Sequence, residues 1–180
     1  MSYLSVYHVS TPDTPNKVLT HFDDIASTLA EHGVRFDRWQ ASTKVEPGAS
    51  HAQVLAAYQA QIDTLSAEQG YVSVDVISVG NNHPQKAELH ASFLDERHHG
   101  EDEVRFFVAG RGLLSVHVGD YVYAVSCEKN DVLLIPAGTR HWFDIGEQPH
   151  LVAIRLFNKP QGEASFTGDD IASRFPRLDD

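Results

Sequence analysis

Two segments constrain this chain more than any other feature: Arg97-His98-His99-Gly-Glu-Asp-Glu103-Val-Arg105-Phe-Phe107 and Pro136-Ala-Gly138-Thr-Arg-His141-Trp-Phe143. Residues two apart on an extended strand share a face. Glu103, Arg105 and Phe107 therefore point one way, and His141 and Phe143 share a face of their own. His99 precedes the first set across a Gly-containing bend. If both segments line one β-barrel, two imidazoles and a carboxylate converge in its interior. Such a donor set, with coordination positions left open, suits non-haem Fe(II), and imidazole also serves Ni, Co and Zn. A single histidine is more often a satisfied core or surface residue, and His51, His83, His90, His117 and His150 are read that way. His99, Glu103 and His141 stand apart because they occur together with a Pro-x-Gly-x-x-His turn.

The chain around these segments predicts a mainly β fold with helices. From Glu103 onward, short β-rich runs recur at Val104–Val108, Leu113–Val118, Tyr121–Cys127, Val132–Ile135, His141–Asp144 and Leu151–Phe157. Turn signals separate them: Gly110-Arg-Gly112, Gly119-Asp120, Lys129-Asn-Asp131 and Pro136-Ala-Gly138. Strands at this spacing suggest a sandwich or closed barrel. Upstream, Tyr3–Val9 reads as a strand. Asp23–His32 reads as a helix, with Ile25, Leu29 and Ala30 on one face and Gly33 as its stop. Val34–Trp39 alternates as a strand.

Ser50-His-Ala-Gln53 has the form of a capping box and opens a helix running to Gln69, with Gly70 ending it. Tyr71–Val79 sets Val72, Val74 and Val76 against Ser73 and Asp75, which predicts a strand with one buried face. Pro84–Glu96 reads as a third helix with Pro84 in its first turn. The expected architecture is a mostly helical N-terminal half packed on an antiparallel barrel.

A length of 180 residues predicts a single domain spanning 1–180. No apolar run approaches the ~20 residues that a membrane span needs. The N-terminus lacks the basic start and apolar stretch of a secretory signal, and Cys127 is the single cysteine. Both features predict a reducing cytoplasm. A formal net charge of −11 argues against nucleic acid or an anionic membrane as partner, because both reward positive charge. A monomer is expected.

The spacing His99-x3-Glu103-x6-Gly110, followed by Pro136-x-Gly138-x2-His141, resembles the two motifs of the cupin superfamily. More narrowly, Gly-Glu-Asp-Glu103-Val-Arg105-Phe-Phe107, Cys127-Glu-Lys-Asn-Asp131 and Pro-Ala-Gly-Thr-Arg-His141-Trp-Phe-Asp144 resemble the acireductone dioxygenases of methionine salvage. Further matches are Gly33-Val-Arg-Phe-Asp-Arg-Trp39, Asp75-Val-Ile-Ser78 and Phe166-Thr-Gly-Asp-Asp-Ile171, so the likeness runs over nearly the whole chain. It implies a cupin-type antiparallel jelly roll flanked by N-terminal helices. It also implies one Fe(2+) or Ni(2+) per chain, an enediol substrate and O2.

In such enzymes an aci-reductone with a methylthio tail is opened by O2. Iron gives a 2-oxo acid and formate; nickel gives methylthiopropionate, formate and carbon monoxide. The resemblance further implies that Arg105 stabilises the substrate dianion, and that Phe143 and Arg155 line the same cavity. It links Glu96 and Asp102 to metal incorporation and to relaying local change; on residues alone they read as solvated acids beside the site. A competing expectation is a cupin that binds a small anion, with Arg97 and Arg105 forming the pocket.

The chain departs from the family pattern in two places. The family carries His-x-His-x3-Glu, and its first histidine falls here on Arg97, with an imidazole one place later at His98. Arginine has no lone pair to offer a metal. Three arrangements follow: a three-ligand triad with water in the remaining place, a bulged loop that brings His98 in as a ligand, or a weakly held metal. After Asn158-Lys-Pro-Gln-Gly162 the chain continues Glu163-Ala-Ser, without the Trp-containing stretch usual there.

Overall fold

The computed structural model describes residues 1–162 and 164–180, and its alternating runs become eleven strands with three α-helices between them. The strands are β1 (Tyr3–His8), β2 (Lys17–Leu19), β3 (Arg35–Arg38), β4 (Ser73–Val79), β5 (Arg97–His98) and β6 (Glu103–Val118), then β7 (Tyr121–Glu128), β8 (Asp131–Ile135), β9 (Arg140–Asp144), β10 (Leu151–Phe157) and β11 (Ser165–Phe166). The helices are α1 (Phe22–Ala30), α2 (His51–Gln69) and α3 (Lys86–Phe93). All pairings are antiparallel. One layer runs β11-β5-β9-β6-β7-β1-β2 and the other β4-β10-β6-β8-β3, so β6 belongs to both. Among the described residues the pairings do not close into a ring, and the arrangement is jelly-roll-like.

Glycine chemistry explains why β6 serves two layers. Its first half, up to Gly110, pairs with β8 and β10; its second half, from Arg111, pairs with β7 and β9. The sequence marks Gly110-Arg-Gly112 as a turn, but the strand passes through it. Gly110 takes φ +73 at the corner, and a Cβ there would lie 1.7 Å from the His150 carbonyl oxygen. Glycine is the residue that tolerates both demands.

The main core lies between the layers, where Leu114, Val116 and Phe143 of one meet Phe107, Leu133 and Ala153 of the other. The opposite face of the β4-β10-β6-β8-β3 layer is covered by α2 through Val54, Tyr58 and Ile62. Ser50 and Gln53 form the capping box at the start of α2, and Gly70 closes the helix in the left-handed conformation. Ile171, Ala172, Phe175 and Leu178 cover the outer face of the other layer.

Several expectations shift. The N-terminal half does not merely pack on a barrel: β1 to β4 extend both layers. The third helix is shorter than Pro84–Glu96, because Pro84 precedes the Gln85 N-cap and Leu94 ends the helix. Val72 precedes β4, and the face it was expected to share with Val74 and Val76 is only partly buried, with Val72 64% and Val74 37% exposed. Val76 alone of the three packs with Val54, Tyr58 and Ile62 of α2. The altered stretch after Gly162 begins at Glu163, which lies outside the described residues; beyond it, β11 returns to pair with β5.

Candidate metal centre

Strand register brings the two motif segments together. Glu103 opens β6 opposite Ile135 on one side and Phe157 on the other, with Arg105 directly opposite Arg155. His141 on β9 faces Val116, and Phe143 faces Leu114. Side chains directly opposite on antiparallel strands share a face, so these residues all project between the layers. Two loops are then laced together. The Gly138 amide donates to the His99 carbonyl at 2.8 Å, and the Ala137 amide donates to Asp102 Oδ1 at 2.8 Å. The Pro136 turn thus sets His141 against the His99 loop. Gly112 supplies clearance, since a Cβ there would lie 2.4 Å from the Phe143 ring.

The donor atoms of His99, Glu103 and His141 lie within 4.8 Å of one another, and all three residues are buried. His141 Nδ1 donates to the Thr139 carbonyl at 2.8 Å, which leaves Nε2 with its lone pair free for a metal. His99 Nε2 lies 3.9 Å from Glu103 Oε1. Among the described residues, His99 Nδ1 and Glu103 Oε1 are buried without hydrogen-bond partners. A buried carboxylate oxygen with no donor is costly, and a cation between it and two neutral imidazoles removes that cost. The residues present therefore fit a divalent metal.

Charge supports the same reading. Burial would raise the Glu103 carboxyl, but the guanidiniums of Arg105 and Arg155 outweigh it and hold the group at about 2. Arg105 Nε donates to Glu103 Oε2 at 2.7 Å, and Arg155 Nη1 lies 4.0 Å from Oε1. Burial lowers His141 to about 4 and also lowers His99. Near neutral pH the three residues are thus an anion and two neutral rings, the forms that bind metal.

The remaining predicted residues fall into two groups. Arg105, Phe143 and Arg155 line the cavity beside the triad, with the Arg105 guanidinium 4.7 Å over the Phe143 ring. Arg105 Nη1 is buried with no partner among the described residues. Arg97 lines this cavity too. Its Nε donates to the Asp95 carbonyl at 3.1 Å, its Nη2 donates to the Ser92 carbonyl, and it lies 4.7 Å over Phe166. Burial, and then repulsion from Arg105 and Arg155, lower its pKa below the usual arginine range.

His98 is not brought in. Arg97 pairs with His141, so alternation along β5 turns His98 to the other face, opposite Ser165. Glu96 is not a solvated acid, and Asp102 is half-buried. Glu96 is 1% exposed and accepts from His117 Nδ1 at 2.6 Å and Thr167 Oγ1 at 2.7 Å. Asp102 bridges the Pro136 turn to Asn158.

Two neighbours of the site escape sequence reading. Asp75 is ion-paired with Arg155 directly across the β4–β10 ladder. Its alternation with valines had placed it on the solvent side. Phe93, at the end of α3, also lines the cavity. The register of β4 against β10 reveals the first, and the packing of α3 over the site, with Phe93 against Phe143, reveals the second.

Residues 4–164 match the model of the ARD/ARD′ family. Among curated relatives, an acireductone dioxygenase of Pseudomonas syringae pv. syringae (strain B728a) is 71% identical, with 100% of both chains covered. One of Stutzerimonas stutzeri (strain A1501) is 67% identical over the same full lengths. Among solved structures, an acireductone dioxygenase from Bacillus anthracis with a cadmium ion in its active centre is 30% identical. It superposes with a TM-score of 0.74, covering 90% of this chain and 95% of its own.

Proposed function

We propose a function from one premise: the chain belongs to the ARD/ARD′ family, and it is an enzyme of the acireductone dioxygenase kind. It cleaves an enediol ketone carrying a methylthio tail, using O2, with His99, Glu103 and His141 holding one Fe(2+) or Ni(2+). The iron form yields a 2-oxo acid and formate; the nickel form yields methylthiopropionate, formate and carbon monoxide. The observation that carries this reading is the convergence of three donor atoms within 4.8 Å beside Arg105, whose Nη1 is unpartnered among the described residues.

An ion held by His99, Glu103 and His141 would supply Lewis acidity and a template for chelating oxygens. The protein's own residues do the rest. Arg105 divides its guanidinium: Nε holds Glu103, and Nη1, buried and unpartnered among the described residues, is left to donate to a substrate oxyanion. The Phe143 ring against that guanidinium restricts where it can swing. Arg155 adds a second cation, itself held by Asp75. The Thr139 carbonyl keeps the His141 proton on Nδ1. Glu96 and Asp102 act as positioning residues, fixing the approach to β5 and the two laced loops rather than touching substrate. His98 stays outside the ligand set. None of the described helices is long and apolar enough to cross a membrane.

A second reading has an observation in its favour. Arg97, Arg105 and Arg155 line one cavity of about 30 Å³, which suits capture of a small anion without turnover. Elemental analysis of untagged protein, followed by oxygen uptake with a synthetic aci-reductone, separates the two. Iron-loaded protein should consume O2 and release formate, and nickel-loaded protein should also release carbon monoxide. Stoichiometric metal without oxygen uptake would leave the anion-binding module instead.

A further inference from the structure

Glu101 is a buried acid to which the chemistry above gives no part. It stands between His99 and Glu103 in the chain and is 6% exposed. Its Oε1 accepts from the Gly162 amide. Its Oε2 is buried and has no partner among the described residues. A buried carboxylate oxygen without a donor is costly.

The matching donor lies two residues away. His99 Nε2 is 3.9 Å from Glu103 Oε1, so that nitrogen faces the metal site. A neutral ring that gives Nε2 to a cation carries its proton on Nδ1. His99 Nδ1 is buried and also without a partner among the described residues. The charged groups near enough to act on this ring are Glu103, Arg155, Arg105 and Glu101. Guanidiniums only donate, Glu103 stands on the Nε2 side, and the neighbouring Phe157 ring carries no acceptor oxygen. Glu101 is the acceptor that remains. His141 has no such need, because its Nδ1 donates to the Thr139 carbonyl.

We propose that Glu101 is the positioning residue of His99: Oε2 accepts the Nδ1 proton when Nε2 takes a divalent ion, while Oε1 stays anchored on the Gly162 amide. The inference rests on the reading of His99, Glu103 and His141 as ligands and adds a residue that holds one of them without touching the ion. Metal-bound histidines generally donate their second nitrogen to a carboxylate or carbonyl, which fixes the tautomer and makes the ring a more basic ligand. Gly100, the one residue between the pair, has open space about it and leaves the turn room to bring them together. The anchor also ties the segment after β10 to the first ligand.

Glu101→Gln tests this at constant shape. Its amide oxygen can stay on the Gly162 N–H, which turns the NH2 group towards the His99 N–H, donor against donor. Zn(II) affinity of the full-length protein, measured by competition with a chelator, should fall about 10–100-fold, with thermal unfolding of the metal-free protein little changed. A proton NMR signature carries the test even if the variant fails to fold. In Zn(II)-loaded wild type the His99 Nδ1 proton should resonate downfield of the His141 Nδ1 proton, because its acceptor is an ion and that of His141 is a neutral carbonyl. An affinity within about threefold of wild type, well short of the loss such a partner causes, or a His99 proton upfield of that of His141, overturns the proposal. Wild-type protein that holds no Zn(II) at all would remove the metal reading, and this inference with it.

Discussion

Replacing Arg105 with Met tests the electrostatic logic of the site. Glu103 is 1% exposed and Arg105 2% exposed, so their 2.7 Å contact is made out of water. Methionine keeps most of the volume but leaves Glu103 with Arg155, 4.0 Å away, as its remaining cation. Breaking a buried pair by removing one partner costs about 3–5 kcal/mol. Linkage gives a similar size. Glu103 is held at about 2 against an ordinary 4.5, and about 1.4 kcal/mol per unit makes that ~3.5 kcal/mol, a net effect to which Arg105 contributes most and Arg155 and His141 add.

The sign follows from the depressed carboxyl. Its contribution is present above the unfolded pKa and is lost as pH falls from 4.5 through about 2. Urea unfolding of metal-free protein at pH 7 should therefore show Arg105→Met less stable by about 3 kcal/mol. Saturation with Ni(II) should recover a good part of the loss, since excess ligand at a hundredfold its Kd is worth ~2.7 kcal/mol and gives Glu103 a cation again. A loss below about 1 kcal/mol, smaller than any buried pair should cost, would refute the claim that Arg105 holds Glu103 ionised.

Three further outcomes are expected. Arg97→His should lengthen metal retention on dialysis about tenfold, since imidazole is a ligand and guanidinium is not; unchanged retention would mean that position 97 does not reach the metal. Gly110→Ala should cost more than about 4 kcal/mol in thermal unfolding, because the Cβ meets a backbone carbonyl at φ +73. The buried rings of His141 and His99 should make metal-free protein lose stability as pH falls from 6.5 towards 4. The folded state refuses protons there that the unfolded chain accepts, so stability rises with pH across that window. Urea midpoints from pH 7 to 4.5 should show this slope, and His141→Asn should reduce it.

The triad was legible because its spacing is local. A two-residue period on β6 and β9 and a Pro-x-Gly turn suffice to put Glu103, Arg105, His141 and Phe143 on inward faces. The capping box of α2 was legible for the same reason. What the sequence hides are relations across strands. Asp75 looks solvent-facing until β4 is laid against β10 and Arg155 meets it. Glu96 looks like a surface acid until His117 and Thr167 close on it. Gly110-Arg-Gly112 looks like a turn because glycine marks turns and strand corners alike, and only the change of partners along β6 tells them apart.

The central claim is that His99, Glu103 and His141 together hold one divalent ion. Anaerobic Fe(II) titration of wild-type protein and of His99→Ala, Glu103→Ala and His141→Ala, read by elemental analysis after desalting, tests it most directly. The account predicts one iron per wild-type chain and a loss of retained metal in every variant, each still folded by circular dichroism. Full retention in any of the three variants would contradict it.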